Sequence, residues 1–254
     1  MPSFANLLRL NKYYLRFAPA YKRVALAPSF GRDFVAEYNV GKMSRWIGEF
    51  TSLSVREDSG VKLIKDMTGR DAINLVDPTL MIDGEIWKKN LGVEDKCTNY
   101  ILAYFLDKPS DSARRAISEL KGLLGCEVIA IPYQFDQMDY CDKVVPTGPV
   151  EFLDLINNAK CVLTDSFHGT AFSINLHTPF YVFAREYGSA HSQNSRVESI
   201  LKKMDMQDRF EPGEASHKYS QIDFNKSEEV LKAERTKARD YLKAALNDIQ
   251  RHEK

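Results

Sequence analysis

The sequence predicts an α/β protein built on parallel sheet. Short apolar runs, such as those at residues 100–106, 127–132 and 161–164, alternate with segments of amphipathic helical spacing. That alternation implies parallel strands joined by right-handed crossovers. The theme runs twice, once in the first ninety or so residues and again from Tyr100. A third observation gives the fold a focus. Residues 161–173 open as an apolar strand, turn through Thr164-Asp165-Ser166-Phe167-His168-Gly169, and continue as a helix. Ligands of open α/β sheets bind where strands end and helices begin.

Composition bounds the function. The chain has 254 residues, 44% apolar and 28% charged, which suits one large or two small globular domains. Thirty-five basic side chains cancel 35 acidic ones, so neither a nucleic-acid surface nor an anionic-membrane surface is expected. Cys97, Cys126, Cys141 and Cys161 form no Cys-x-x-Cys pair, which points to buried thiols rather than a disulfide framework or zinc site. The start, Met1-Pro2-Ser3-Phe4, lacks the regions of a signal peptide, and no apolar run is long enough to span a bilayer. The expectation is a cytoplasmic chain.

In order along the chain, residues 5–17 have helix-like or irregular apolar spacing and 23–28 read as a buried strand stopped by Pro28. Residues 40–50 read as a helix with Trp46, Ile47 and Phe50 on one face. A strand at 53–56, a helix from Glu57 to Gly69 and a strand at 72–76 follow, and Asp77-Pro78-Thr79 is the loop beyond. Residues 80–92 are a connector with a short helix near Trp87. The second half reads as strand 100–106, helix 112–124, strand 127–132, helix 149–156, strand 161–164 and strand 179–183. A short helix at 196–203, a polar linker at 211–220 and a long amphipathic helix at 227–251 complete it. The expected divisions are a partial N-terminal domain (1–92), a second domain (93–210), and a linker with a terminal helix (211–254). A cleft between two such domains is the natural ligand site.

His168 stands at the start of a helix, where unpaired N–H groups attract an anion and an imidazole can exchange a proton. The alternative is a histidine that caps structure. Asp136, Asp139 and Asp142 are spaced loosely like oxygen ligands but lack the glycine and terminal glutamate of a calcium loop, so no metal is expected. Residues 29–31 are not a dinucleotide fingerprint.

Several stretches together resemble the polysaccharide pyruvyl transferase family. They are Leu53-Ser54-Val55-Arg56-Glu57-Asp58, Leu75-Val76-Asp77-Pro78-Thr79-Leu80-Met81 with Trp87, and Thr164-Asp165-Ser166-Phe167-His168-Gly169-Thr170, extended by Phe172-Ser173-Ile174 and Asn194-Ser195-Arg196. Order and spacing agree over roughly residues 12–210. The resemblance implies two Rossmann-like domains similar to the GT-B glycosyltransferase fold, with the first incomplete because its opening strands have no counterpart here. It implies transfer of a pyruvyl group from phosphoenolpyruvate to a sugar diol of a bacterial surface or exopolysaccharide precursor, with no other cofactor. The family's catalytic histidine falls on His168 and its functional arginine on Arg56. Ser166 stands where some members carry an arginine.

Forming the ketal requires a proton on the donor's methylene, a sugar hydroxyl at its central carbon, and loss of phosphate. His168 is the expected acid, and could equally be the base. Arg56, at a strand end, suits a carboxylate or phosphate, against a salt bridge with Glu57 or Asp58. Arg196, after Asn194 and Ser195, is a second cation, against a surface pair with Glu198. Arg185 and His191 are weaker candidates. Thr164, Ser166 and Thr170 offer hydroxyls to phosphate or cap the turn. Asp77 is expected to fix its loop, and His177, His217 and His252 to be bystanders. Competing readings are a nucleotide-sugar glycosyltransferase and a non-catalytic glycan-binding remnant. The partners expected are phosphoenolpyruvate and a sugar or lipid-linked oligosaccharide acceptor. A sheet edge left open by the missing strands, beside the terminal-helix stripe of Leu231, Tyr241, Leu242, Ala245 and Ile249, predicts a homodimer.

Overall fold

A computed structural model describes residues 12–132, 138–185, 194–215, 219 and 222–252. The readings for residues 5–11, Asp136, His191 and His217 lie outside the described residues. Packing divides the chain into two compact units, Met1–Pro78 with Glu234–Lys254, and Thr79–Ala233.

In the first unit, helical residues 12–13 are followed by a short 3-10 turn, Ala20–Lys22. It continues through α1 (Glu37–Gly48), β1 (Ser54–Val55), α2 (Asp58–Thr68) and β2 (Ile73–Asn74). β1 and β2 pair in parallel, with Ser54 opposite Ile73. α2 ends where expected because Gly69 takes a left-handed conformation at φ 69° and returns its N–H to Lys65. Ile47, Phe50, Leu53, Val55 and Ile64 form the core of this unit.

The strand expected at 23–28 is a correction. Only Val24 makes a ladder bridge, to Ser52. Ala27 sits at φ 45°, and its N–H goes to the Ser54 hydroxyl at 2.8 Å instead of to a strand carbonyl. A left-handed residue turns the chain out of register, so apolar content alone does not make a ladder here.

From Thr79 onward, the second unit holds the rest of α3 (Pro78–Met81), then α4 (Gly84–Leu91), β3 (Tyr100–Tyr104), α5 (Asp111–Leu124), β4 (Glu127–Ile131) and β5 (Lys143–Val144). After these come α6 (Pro149–Asn157), β6 (Cys161–Thr164), α7 (Phe167–Asn175), β7 (Phe180–Val182) and α8 (Ser195–Met204). The five strands form one sheet in the order β5-β4-β3-β6-β7, and every pairing is parallel. β3 and β6 are buried almost throughout, as strands covered on both faces must be. β5 escaped the sequence reading because it is a two-residue exposed edge with no apolar pattern.

α5 shows why the helices form where they do. The Ser110 side chain caps its start by accepting from Ala113 N, Gly125 ends it at φ 58°, and Ala113, Ala116, Ile117 and Leu120 give one buried stripe. The connector at 80–92 packs with the second unit. Asn175 of α7 donates from Nδ2 to the carbonyls of Thr79 and Ile82, and Trp87 meets Phe172 edge to face at 5.8 Å.

The last element, α9 (Phe224–His252), contributes its first turns to the second unit and its residues from Glu234 to the first. In the first unit Tyr241 and Ala245 of its stripe are buried, and the Tyr241 hydroxyl donates to Ala25 O at 2.6 Å. Leu246, beside the stripe, faces solvent.

Candidate active site

The sheet of the second unit changes direction between β3 and β6. From β3 the chain passes to β4 on one side, while β6 and β7 lie on the other. Such a switch point leaves a crevice beyond the carboxyl ends of the two strands, the usual ligand position in open α/β sheets. The segment 165–169 leaves β6 at that point.

The turn is built from short side chains that bond back to the chain. The Thr164 hydroxyl donates to Tyr104 O at 2.6 Å and accepts from Ser166 N at 3.0 Å, stitching β6 to β3. Ser166 is the N-cap of α7, accepting from Gly169 N at 3.4 Å. Thr170 Oγ1 donates to Ser166 O at 3.0 Å. All three predicted hydroxyls are therefore engaged within the turn, in the capping role. Gly169 is required by close approach, since a Cβ there would lie 2.6 Å from Thr164 Oγ1. Every residue of α7 is buried except His168, which is exposed in the first turn with its ring against Phe167 at 5.5 Å. A helix buried on all other sides thus presents a single titratable group to solvent.

Asp165 is the residue the sequence reading passed over. Its carboxylate is 3% exposed. It accepts from Leu106 N at 2.7 Å, Asp107 N at 3.1 Å and Arg185 Nε at 2.9 Å. Arg185, whose side chain is also buried, donates a further bond from Nη2 to Asp165 O. Burial pushes the Asp165 carboxyl above the usual range, opposed by the Arg185 guanidinium and the two amides. One side chain thereby joins the exits of β3, β6 and β7. No spacing rule links Asp165 to an arginine twenty residues on. The only signal was an acid directly after a buried strand.

The other predicted residues fall in two places. Asn194 holds the N-cap position of α8 without a side-chain cap bond, and its Oδ1 accepts instead from Arg185 N at 3.3 Å. Ser195 and Arg196 begin α8, partly buried. Arg56 lies in the first unit, at the end of β1. It bonds to Asp77 and stands 3.9 Å from Glu57, both acids being buried. Asp77 therefore holds an arginine rather than only its own loop. Glu57 also accepts from Ser29 Oγ and Phe30 N, which fixes residues 29–31.

Asp139 and Asp142, read as a loose acidic set, pair instead with Arg114 and Lys121. Among the described residues no group of three or more His, Cys, Asp or Glu is placed to hold a metal ion, and no helix is long and apolar enough to cross a membrane. A cavity of about 420 Å³ opens in the first unit among Tyr14, Leu26, Phe30, Met43, Ile47 and Phe50, and no predicted site residue lines it.

A parallel α/β unit with one exposed histidine at its switch point is the framework of a group-transfer or ligand-binding protein. The chain belongs to the polysaccharide pyruvyl transferase family, whose model matches residues 3–187. It is also 41% identical over 66 residues to general stress protein 30 of Bacillus subtilis (strain 168), a match spanning 26% of this chain and 19% of that protein. Among solved structures it is similar to the wall teichoic acid polymerase TagF (12% identity, TM-score 0.42, 83% of this chain and 61% of that one). It is likewise similar to a UDP-GlcNAc 2-epimerase from Neisseria meningitidis bound to UDP-GlcNAc (10% identity, TM-score 0.42, 74% of this chain and 62% of that one). The chain thus spans less than two thirds of each of those solved chains and a fifth of the curated relative.

Proposed function

We propose that the protein transfers a pyruvyl group from phosphoenolpyruvate to two hydroxyls of a sugar in a bacterial surface or exopolysaccharide precursor, in the cytoplasm. The observation that supports the reading is His168: the resemblance of its motif implies a catalytic histidine at this position, and in the fold it is the exposed member of an otherwise buried helix at the switch point. In this reading the protonated imidazole gives its proton to the donor's methylene carbon, turning it into a methyl group. The electron-poor central carbon takes the first sugar hydroxyl. The second hydroxyl then displaces phosphate. The two hydroxyl protons end on the histidine and on the departing phosphate, so the imidazole is recharged for the next turnover.

Arg56 enters the reading through the family motif. Its contacts with Asp77 and Glu57 mean that a donor carboxylate would compete with a protein carboxylate for the guanidinium. Arg56→Lys should therefore weaken donor binding, because an ammonium cannot reproduce the forked contact. His168→Ala should abolish phosphate release in a coupled assay with acceptor while leaving a phosphoenolpyruvate-dependent rise in melting temperature. Near-normal phosphate release by His168→Ala would refute the role given to that histidine. A melting temperature that responds to plain phosphate as strongly as to phosphoenolpyruvate would refute the donor.

A further inference from the structure

The turn from β3 into α5 is the first strand-to-helix turn of the second unit, and it borders the switch point. In nucleotide-binding α/β domains a glycine-rich turn at this place turns its amides toward the diphosphate. Here the turn reads Phe105-Leu106-Asp107-Lys108-Pro109-Ser110 and contains no glycine. Three of its amides face carboxylates already. Leu106 N and Asp107 N donate to Asp165 at 2.7 and 3.1 Å, Lys108 N donates to the side chain of Asp107 at 2.8 Å, and Pro109 has no N–H. The guanidinium that approaches the same point, Arg185, is bonded to Asp165. Asp107, Asp111 and Asp165 put three acids around the turn against the exposed cation Lys108.

We propose that Asp165 is a specificity-determining residue: its carboxylate fills the anion position of the β3–α5 turn from within the chain and closes the second unit to nucleoside diphosphates. An external phosphate would have to displace a buried, arginine-paired carboxylate and then lie beside it, which like-charge repulsion opposes. The donor of this unit is accordingly a small one whose anionic groups do not use that turn. The proposal stands on the geometry of the second unit and goes beyond the pyruvyl-transfer reading. A failure of phosphoenolpyruvate to bind would leave it intact.

Two measurements test it. UDP titrated into the unaltered protein, followed by calorimetry and melting temperature, should give no saturable signal beyond that of sodium chloride at matched ionic strength. Asp165→Ala should melt lower and gain a saturable rise in melting temperature with formate or inorganic phosphate, as the small anion re-enters between Arg185 and the two amides. That gain should vanish in Asp165→Ala combined with Arg185→Met. Saturable UDP binding by the unaltered protein would overturn the proposal, and so would an Asp165→Ala variant that responds to formate no more than to chloride. Should the alanine variant not fold, the UDP titration decides alone.

Discussion

Replacing Gly169 by alanine isolates the closest approach in the candidate site. The new Cβ would stand 2.6 Å from Thr164 Oγ1, 3.1 Å from its Cγ2 and 3.2 Å from its Cβ. Alanine is the better helix former by about 1 kcal/mol, so an unobstructed helix would be stabilised. Overpacking of this kind costs about 1–3 kcal/mol. Moving Thr164 would also weaken its bonds to Tyr104 O and Ser166 N, each worth about 0.5–1.5 kcal/mol net. The steric and hydrogen-bond terms outweigh the propensity gain, leaving a destabilisation of about 3 kcal/mol in mid-range, or about 6–12 °C in melting temperature for a chain of this size. Scanning calorimetry of Gly169→Ala measures it. The companion variant Thr164→Ala removes the two nearest obstructing atoms, Oγ1 and Cγ2, so Gly169→Ala in that background should cost less than it does alone, by about 0.5–3 kcal/mol of coupling. A Gly169→Ala protein melting at or above the unaltered temperature would show that the β6–α7 approach is soft and that this glycine is not required.

Two further outcomes follow from contacts in the first unit. Tyr241→Phe removes the hydroxyl that donates to Ala25 O and should cost about 0.5–1.5 kcal/mol in a urea titration, with an unchanged denaturant slope. Glu49 is held below its ordinary value chiefly by a hydrogen bond from Arg16, which burial opposes and a hydrogen bond from Arg23 reinforces. A depressed carboxylate contributes stability above its unfolded pKa, about 4.3, and loses it as pH falls through the lower folded value. Melting temperature should therefore drop on acidification through pH 4, and Glu49→Gln should drop less steeply. An identical slope in both proteins would remove Glu49 from the acid response.

Much of the second unit was legible in sequence because its strands are buried on both faces. Runs such as Ile101-Leu102-Ala103 and Cys161-Val162-Leu163 have no polar alternation to confuse, and Gly125 marks the end of α5, whose start at the Ser110 cap lies two residues before the one read. In the first unit the ladder is shorter than the apolar run suggests, since a left-handed Ala27 diverts residues 23–28 and no propensity scale anticipates an alanine there. The site divides in the same way. His168 and its hydroxyl neighbours are local, so strand–turn–helix spacing exposed them. The ion pairs Asp165–Arg185 and Arg56–Asp77 join residues twenty or more positions apart through tertiary packing, and nothing periodic in a sequence reports them.

The knot at Asp165 has a consequence for how the protein comes to be folded. Its bond to Leu106 N spans 59 positions and requires β3 beside β6, while its bond to Arg185 spans 20 and requires β6 beside β7. Helices such as α5 can form from neighbouring residues alone, but contacts of long sequence separation carry the entropy of closing large loops and slow the search. The turn that presents His168 is therefore expected to mature late, after most of the backbone has its secondary structure. Hydrogen exchange at the amides of Leu106 and Asp107 would time that step. A chain caught before it would show native-like helix content and an unformed site, which makes circular dichroism a poor assay of a competent preparation.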